Sequence, residues 1–343
     1  MAKQEIIPNS RFLARNSTLF ETGSCELAVL VFAGCGVHNY LLRAHMAEFD
    51  LKSYLSSRKQ LVEEALEKIF PATSGLQKRV VEAARYSLFA GGKRLRPILC
   101  MAASEAVGGD VKTVLPAACA LEMIHTYSLI HDDLPAMDND DFRRGVPTNH
   151  KVYGEAVAIL AGDALLTEAF EYFTQRADTR VSPDKAIEVI RIAVKAAGYR
   201  GMIGGQVIDL ECENQKVSLT TVEYMHIHKT GALLSASLEI GAVLGGGSPE
   251  QTKALKNYGH HFGLAFQITD DLLDVEGDKA LMGKTPGSDA AKKKMTYPAL
   301  LGVADSRKAA KEHVESALEA LVGFDAEAEP LRAVARYLLV RKG

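Results

Sequence analysis

Apolar residues in this chain recur with the period of an α-helix, and that recurrence restricts the fold more than any other feature. From Leu51 they fall at Leu51, Tyr54, Leu55, Leu61, Val62, Ala65, Leu66 and Ile69, the spacing of one buried helix face. Pro71 ends this run. The same period returns through most of the remaining sequence, and no segment sustains the alternation of a strand. Ser182-Pro183 and Ser248-Pro249 predict helix starts, with Ser as N-cap and Pro in the first turn. Ser248 with Gln251, and Thr220 with Glu223, match a capping box. Gly245-Gly246-Gly247 predicts a helix–helix turn. Ala156 to Leu166 and Gly231 to Leu244 are apolar nearly all round, so they belong inside or at a subunit interface. No linker or charge block divides residues 48–341. The expectation is an all-α protein with a single large helical bundle domain.

The first 45 residues differ. No charge lies between Glu26 and Arg43, and Leu27 to Val37 is almost purely apolar, yet too short to span a bilayer. Helical patterning begins just after Met46. The expected organisation is an extra segment at 1–45, read first as an over-extended start, with a weak membrane or targeting segment and a real extra helix as the alternatives, followed by a domain at 46–343. A stable membrane anchor is not expected.

Composition excludes several classes. Lys and Arg number 40 against 43 Asp and Glu, so the basic excess of a nucleic-acid binder is missing. Trp is absent. Cys25, Cys35, Cys100, Cys119 and Cys212 are odd in number, with no C-x-x-C pair. That argues against a disulfide framework or zinc site and for a reducing, cytoplasmic setting.

Chemistry concentrates in two acidic clusters, Asp132-Asp133-Leu134-Pro135-Ala136-Met137-Asp138 and Asp270-Asp271-Leu272-Leu273-Asp274. Each follows an apolar stretch. Carboxylates at a helix C-terminus face the negative end of the macrodipole, and like charges four apart repel. A hard divalent cation such as Mg²⁺ reverses those terms. Asp132 and Asp138 are six residues apart and would not share a face of a regular helix; a bend at Pro135 can bring them together. Basic counterparts are Lys93, Arg94 and Arg96 in Gly91–Pro97, then Arg143, Arg144, Lys229 and Lys284, with His125 on the helix below the first cluster. Together they point to diphosphate binding.

At these residues the chain resembles the trans-type isoprenyl diphosphate synthases of bacteria and plastids, over roughly residues 50–342. The motifs are GGKRLRP, DDLPAMD with RRG, AGDALL, GGQVIDL, KTGALL, FQITDDLLD, GKTPGSD and KMTYPAL. The resemblance implies a homodimer whose subunits each hold a deep central cavity. It implies condensation of isopentenyl diphosphate with an allylic diphosphate, using three Mg²⁺ per active site when substrate is bound. Asp132, Asp138 and Asp270 would hold metal, supported by Asp133, Asp271 and Asp274. Arg143, Lys229, Thr230, Gln267, Lys284 and Lys294 would contact the allylic diphosphate. Lys93, Arg96, His125 and Arg144 would hold isopentenyl diphosphate. Tyr127 and Ser128, one and a half turns before the first motif, are the expected determinants of chain length. A large residue at position 127 resembles the C15 (farnesyl) synthases, with a C20 or mixed-product enzyme as the alternative. A terpene cyclase would not need both acidic clusters and GGKRLRP, and a non-catalytic regulatory partner would not need both clusters intact.

Overall fold

The structure, a computed structural model, describes residues 49–175, 182–276 and 295–341. The expectations for residues 1–45, Lys284 and Lys294 lie outside them. The described residues form one packed unit beginning at Phe49, and it is all-α apart from one short hairpin.

Helix α1 (Leu51–Ile69) starts where the Asp50 carboxylate accepts from the Ser53 amide at 3.0 Å, and it stops before Pro71. Helices α2 (Lys78–Leu88) and α3 (Leu95–Ala106) follow. Next comes the central helix α4 (Val111–Asp132), packed against α1, α2, α3, α6 (Glu155–Thr174) and α10 (Ala232–Gly245). α4 is long and apolar enough to cross a membrane by length and composition, but 67% of its most apolar window is buried inside the protein. It is a core helix. Its buried residues join those of α1, α2, α3, α6 and α7 (Pro183–Ala197) in one cluster.

A second apolar cluster joins α3 and α10 to α11 (Pro249–Glu276), α13 (Val303–Glu319) and α14 (Glu329–Leu338). A third, smaller cluster sits where α9 (Leu219–His226), α11 and α12 (Tyr297–Leu301) meet. Between α4 and α6 lie strands β1 (Phe142–Arg143) and β2 (Val146–Pro147), antiparallel with Arg143 opposite Val146, and the short helix α5 (Asn149–Tyr153). Helix α8 (Met202–Cys212) precedes α9.

The Ser-Pro starts behave as expected. The Ser248 hydroxyl accepts from the Gln251 amide at 3.2 Å, and the Gln251 side chain accepts from the Ser248 amide at 2.9 Å, a reciprocal capping box. The predicted box at Thr220 and Glu223 is corrected. Ser218 is the cap, accepting from the Thr221 amide at 3.2 Å, and Thr220 lies inside α9. A serine two residues upstream took the role first. Helix α10 is buried almost throughout, whereas α6 leaves Ile159 and Leu160 exposed. Cys100, Cys119 and Cys212 are free thiols.

Candidate active site

The first acidic motif sits where α4 ends. Pro135 has no amide hydrogen to continue the helical ladder, and the chain turns back. The Leu134 amide reaches the His131 carbonyl at 3.1 Å, Met137 reaches Leu134 at 2.9 Å, and Asp138 reaches the Asp132 carbonyl at 2.8 Å. Asn139 completes the reversal in the left-handed region, at φ 52°. Asp132 and Asp138 therefore adjoin through the backbone, as the bend at Pro135 predicted. The Asp132 carboxyl is pushed up to about 6, first by burial. Asp138 and Asp133 add to the rise, while Lys229 and Arg143 oppose it.

Asp133 faces Arg143. The guanidinium Nε donates to both carboxylate oxygens at 2.8 Å, and Nη2 donates at 2.5 Å. Burial still outweighs this pairing and raises the Asp133 pKa. Arg143 is held there by the hairpin, whose two-residue loop is Arg144-Gly145 with φ of 53° and 82°. Positive φ at both positions is the type I′ geometry that suits a tight hairpin.

The hairpin tip meets the Gly91–Pro97 loop. Arg144 donates to the Gly91 carbonyl. A Cβ at Gly92, whose φ is 125°, would lie 2.7 Å from the Arg144 guanidinium carbon. The glycine thus allows the contact as well as the backbone turn. One sequence expectation is corrected in this loop. Arg94 adopts φ 51° and turns inward, giving Nη1 to Glu122 Oε1 at 2.8 Å and Nη2 to the Leu88 carbonyl at 2.7 Å. With side-chain exposures of 1% and 2%, Arg94 and Glu122 form a buried pair that fixes the loop on α4. Only Lys93 and Arg96 remain as candidate anion contacts.

Those two cations sit in strained electrostatic surroundings. Arg96 is drawn down to about 10, chiefly by burial, with Arg144 adding repulsion and Glu122 and Asp270 opposing it. Desolvation and the nearby Arg341 guanidinium lower Lys93, against Asp270. His125 is held well below its ordinary value by burial and by Arg96, Arg144, Arg143 and Arg94. It is neutral near pH 7 and can donate or accept at an anion without adding repulsion.

The second acidic motif lies on the last two turns of α11. Gln267, Asp270, Asp271 and Asp274 follow i, i+3, i+4, i+7 spacing, one face of the helix. Asp270 accepts from Arg341 Nη2 at 2.5 Å. Asp271 is buried and accepts from the Tyr297 amide at 3.0 Å, holding the start of α12. His226 lies 3.8 Å from the same carboxylate oxygen and stacks on the Tyr297 ring.

Lys229 and Thr230 occupy a wide π turn, Ile227–Gly231, between α9 and α10. Such turns interrupt the α-helical ladder and are frequent at functional sites. Lys229 Nζ donates to Asp209 Oδ2 on α8 at 2.6 Å. Gly205 is what lets α8 approach: a Cβ there would meet the Lys229 backbone nitrogen at 2.2 Å. On the same face of α8, both amide atoms of Gln206 are buried, with no hydrogen-bond partner among the described residues.

Comparison with known proteins decides the family. The Polyprenyl synthetase family profile matches residues 77–334. The chain belongs to the polyprenyl synthetase family. It is 51% identical over 296 residues to a dimethylallyltranstransferase of Fischerella ambigua, covering 86% of this chain and 85% of the relative. It is 47% identical to a farnesyl diphosphate synthase of Geobacillus stearothermophilus, over 86% of this chain and 99% of that one. The structure of a geranylgeranyl pyrophosphate synthetase from Pyrococcus horikoshii superimposes with a TM-score of 0.78 at 33% identity, covering 85% and 98% of the two chains.

Within this polyprenyl synthetase chain, sequence reasoning left several residues of the site unassigned. Asp209 and Gln206 lie inside the quoted GGQVIDL motif, one helical turn apart, and their shared face was a usable signal. Glu122 stands ten residues before Asp132 as a charge in an apolar helix, which called for a buried partner. Arg341 belongs to no motif and carried no signal. Tyr127 is 5% exposed, with its hydroxyl buried and no hydrogen-bond partner among the described residues. Its ring packs edge-on to His131 at 5.7 Å. Ser128 donates to the His125 carbonyl at 2.9 Å.

Proposed function

We propose that this prenyltransferase condenses isopentenyl diphosphate with dimethylallyl and then geranyl diphosphate, stopping at the C15 product farnesyl diphosphate. Prenyl chain condensation follows from the family and from relatives named farnesyl and geranylgeranyl synthases. The observation that carries the mechanism is the segregation of charge. Asp132 and Asp138, adjoining through the backbone, close one buried helix, while Arg96 and Arg144 form a neighbouring cationic group beside the neutral His125.

The residues fit Mg²⁺. Asp132, Asp138 and Asp270 offer hard oxygen donors, and burial makes the charge on Asp132 costly without a cation. Among the described residues no three His, Cys or carboxylate side chains gather into a ready-made cage. Mg²⁺ needs none, because it binds through one or two carboxylates plus substrate phosphates. When bound, Mg²⁺ would supply Lewis-acid neutralisation of the leaving diphosphate.

The remaining work falls to the chain. Lys229, Thr230 and Gln267 would orient the allylic diphosphate, joined by Arg143 once it shares its guanidinium with Asp133. Lys93, Arg96, Arg144 and neutral His125 would seat isopentenyl diphosphate with its alkene toward the allylic carbon. The allylic C–O bond breaks and its electron pair leaves with diphosphate. The alkene carbon then bonds to the cation, and a proton departs to a diphosphate oxygen. The apolar lengths of α4 and α11 behind their acidic ends would keep water from the cation. Tyr127 supports the C15 reading as a large side chain down the α4 wall. The C20 alternative has support from relatives such as an Arabidopsis thaliana geranylgeranyl pyrophosphate synthase at 48% identity.

A second copy of the chain is the proposed partner. Ile159 and Leu160 on α6, Ile187 and Val194 on α7, and Ile203 and Val207 on α8 are each 43–57% exposed, and large apolar side chains left exposed on three successive helices support contact with another copy. The free thiols support a reducing aqueous compartment.

The test is turnover with Mg²⁺, isopentenyl diphosphate and dimethylallyl diphosphate, followed by chromatography of the dephosphorylated products. Farnesol as the main product supports the assignment. Geranylgeraniol moves it to C20, and absence of turnover refutes it.

A further inference from the structure

A pair of histidines away from the diphosphate site forms a second cluster with chemistry of its own. His261 on α11 and His313 on α13 bring their Nδ1 atoms to 3.1 Å. Their rings are inclined by 33°, with centroids 5.4 Å apart. His260 lies beside them, its ring 5.3 Å from that of His261. Both rings of the pair are partly buried, and neither has a carboxylate within 4.0 Å among the described residues. Burial holds both below the ordinary histidine value, with His313 and His260 adding to it at His261, and His260 adding to it at His313 against the opposing Glu312 charge, so both imidazoles are neutral near pH 7.

Neutral imidazoles are good ligands for borderline transition metals and poor ones for Mg²⁺. Two ligands at about 2.0–2.1 Å from one such metal, subtending about 90–110°, stand about 2.9–3.4 Å apart. The observed separation falls in that range. A direct N–H···N bond also fits 3.1 Å, and the metal needs only the tautomer in which both Nδ1 atoms carry lone pairs. We propose that His261 and His313 form a bis-histidine chelate for a transition-metal ion such as Ni²⁺, Cu²⁺ or Zn²⁺, bridging α11 and α13, with water completing the coordination. The site is separate from the aspartate site. His261 precedes Asp270 by nine residues, about 13 Å along the helix and on nearly the opposite face. The ion would staple the helix that carries the second acidic motif to its largest C-terminal neighbour.

The experiment titrates the full-length protein with Ni²⁺ in saturating Mg²⁺, by calorimetry and thermal unfolding. Electron paramagnetic resonance of the one-to-one Cu²⁺ adduct reads the ligand atoms. The expected results are one site per chain, a rise in unfolding temperature and nitrogen couplings in the Cu²⁺ spectrum. The H261Q/H313Q protein should lose the rise, with affinity falling at least tenfold, while H260Q keeps both. If the double variant folds poorly without metal, H313Q alone should show the same loss. A wild-type protein that binds no Ni²⁺ at one-site stoichiometry overturns the proposal. So does a double variant with unchanged affinity and Cu²⁺ spectrum.

Discussion

Arg341, at the far end of the described chain, donates to Asp270 of the second acidic motif at 2.5 Å. The same guanidinium donates to the Thr269 hydroxyl at 2.6 Å and the Phe266 carbonyl at 2.9 Å, and it stacks 4.6 Å from the centroid of the Phe266 ring. The C-terminal end of the chain thus occupies ground beside a proposed metal ligand, and two cations contend for one carboxylate. Asp270 keeps 40% of its side-chain exposure, so losing the pair should cost only about 1 kcal/mol of stability. Arg341→Ala should lower the Mg²⁺ concentration at the midpoint of thermal stabilisation, and Arg341→Lys should fall between. A midpoint unchanged or raised in Arg341→Ala would mean that Arg341 does not restrain Asp270.

Asp132 sets up a trade between stability and function. Burial lifts its carboxyl from 3.8 to about 6. A carboxyl whose pKa is higher folded than unfolded favours the fold below the unfolded value and loses that contribution as pH rises through the folded value. Between pH 4 and 6 the metal-free wild type should therefore lose stability relative to Asp132→Asn. By pH 7 the variant should be the more stable by about 1–3 kcal/mol, while turnover falls by about 10²-fold or more. Unfolding temperatures measured across that pH range in a chelator test this. A constant gap would remove Asp132 as the cause.

Gly205 is a packing requirement of the π turn. An added methyl would stand 2.2 Å from the Lys229 backbone nitrogen, and backbone cannot rotate away as a side chain can. Gly205→Ala should cost about 1–3 kcal/mol. It should also raise KM for the allylic diphosphate by displacing Lys229 and Thr230. Gly323, whose Cβ position has nothing within 4 Å, is the control. If Gly205→Ala matches Gly323→Ala in both stability and KM, α8 does not fix the turn.

The helical fold was legible because apolar periodicity and Ser-Pro starts are local signals, and the capping box at Ser248 formed as read. The reversal after α4 was legible because Pro135 constrains backbone whatever its surroundings. Arg94 was not. Its identity matched a cationic loop, and only its left-handed backbone conformation and the buried Glu122, 28 residues on, turned it inward. The Thr220 cap failed for a related reason, since Ser218 offered the same chemistry earlier. The placements of Arg341 beside Asp270 and of His261 beside His313 depend on packing between distant helices, which no local pattern encodes.

Tyr127 yields the prediction that bears most on product. It sits five residues before Asp132, about 7–8 Å down the α4 wall. It is 5% exposed, and its hydroxyl is buried without a partner among the described residues. A buried phenol with no acceptor is costly, and burial with the nearby Asp132 charge pushes its pKa up to about 12. The ring is therefore kept where a leucine would pack at lower cost, as expected of a side chain whose bulk is used. Tyr127→Ala should shift the main product from C15 to C20 or longer, with the rate of the first condensation within about threefold of wild type. Tyr127→Phe should keep the C15 limit, because the volume stays and only the hydroxyl goes. Chromatography of dephosphorylated products from both variants, each checked for a cooperative unfolding transition, reads the outcome. A Tyr127→Ala enzyme that folds, turns over and still stops at C15 would assign the floor to another residue.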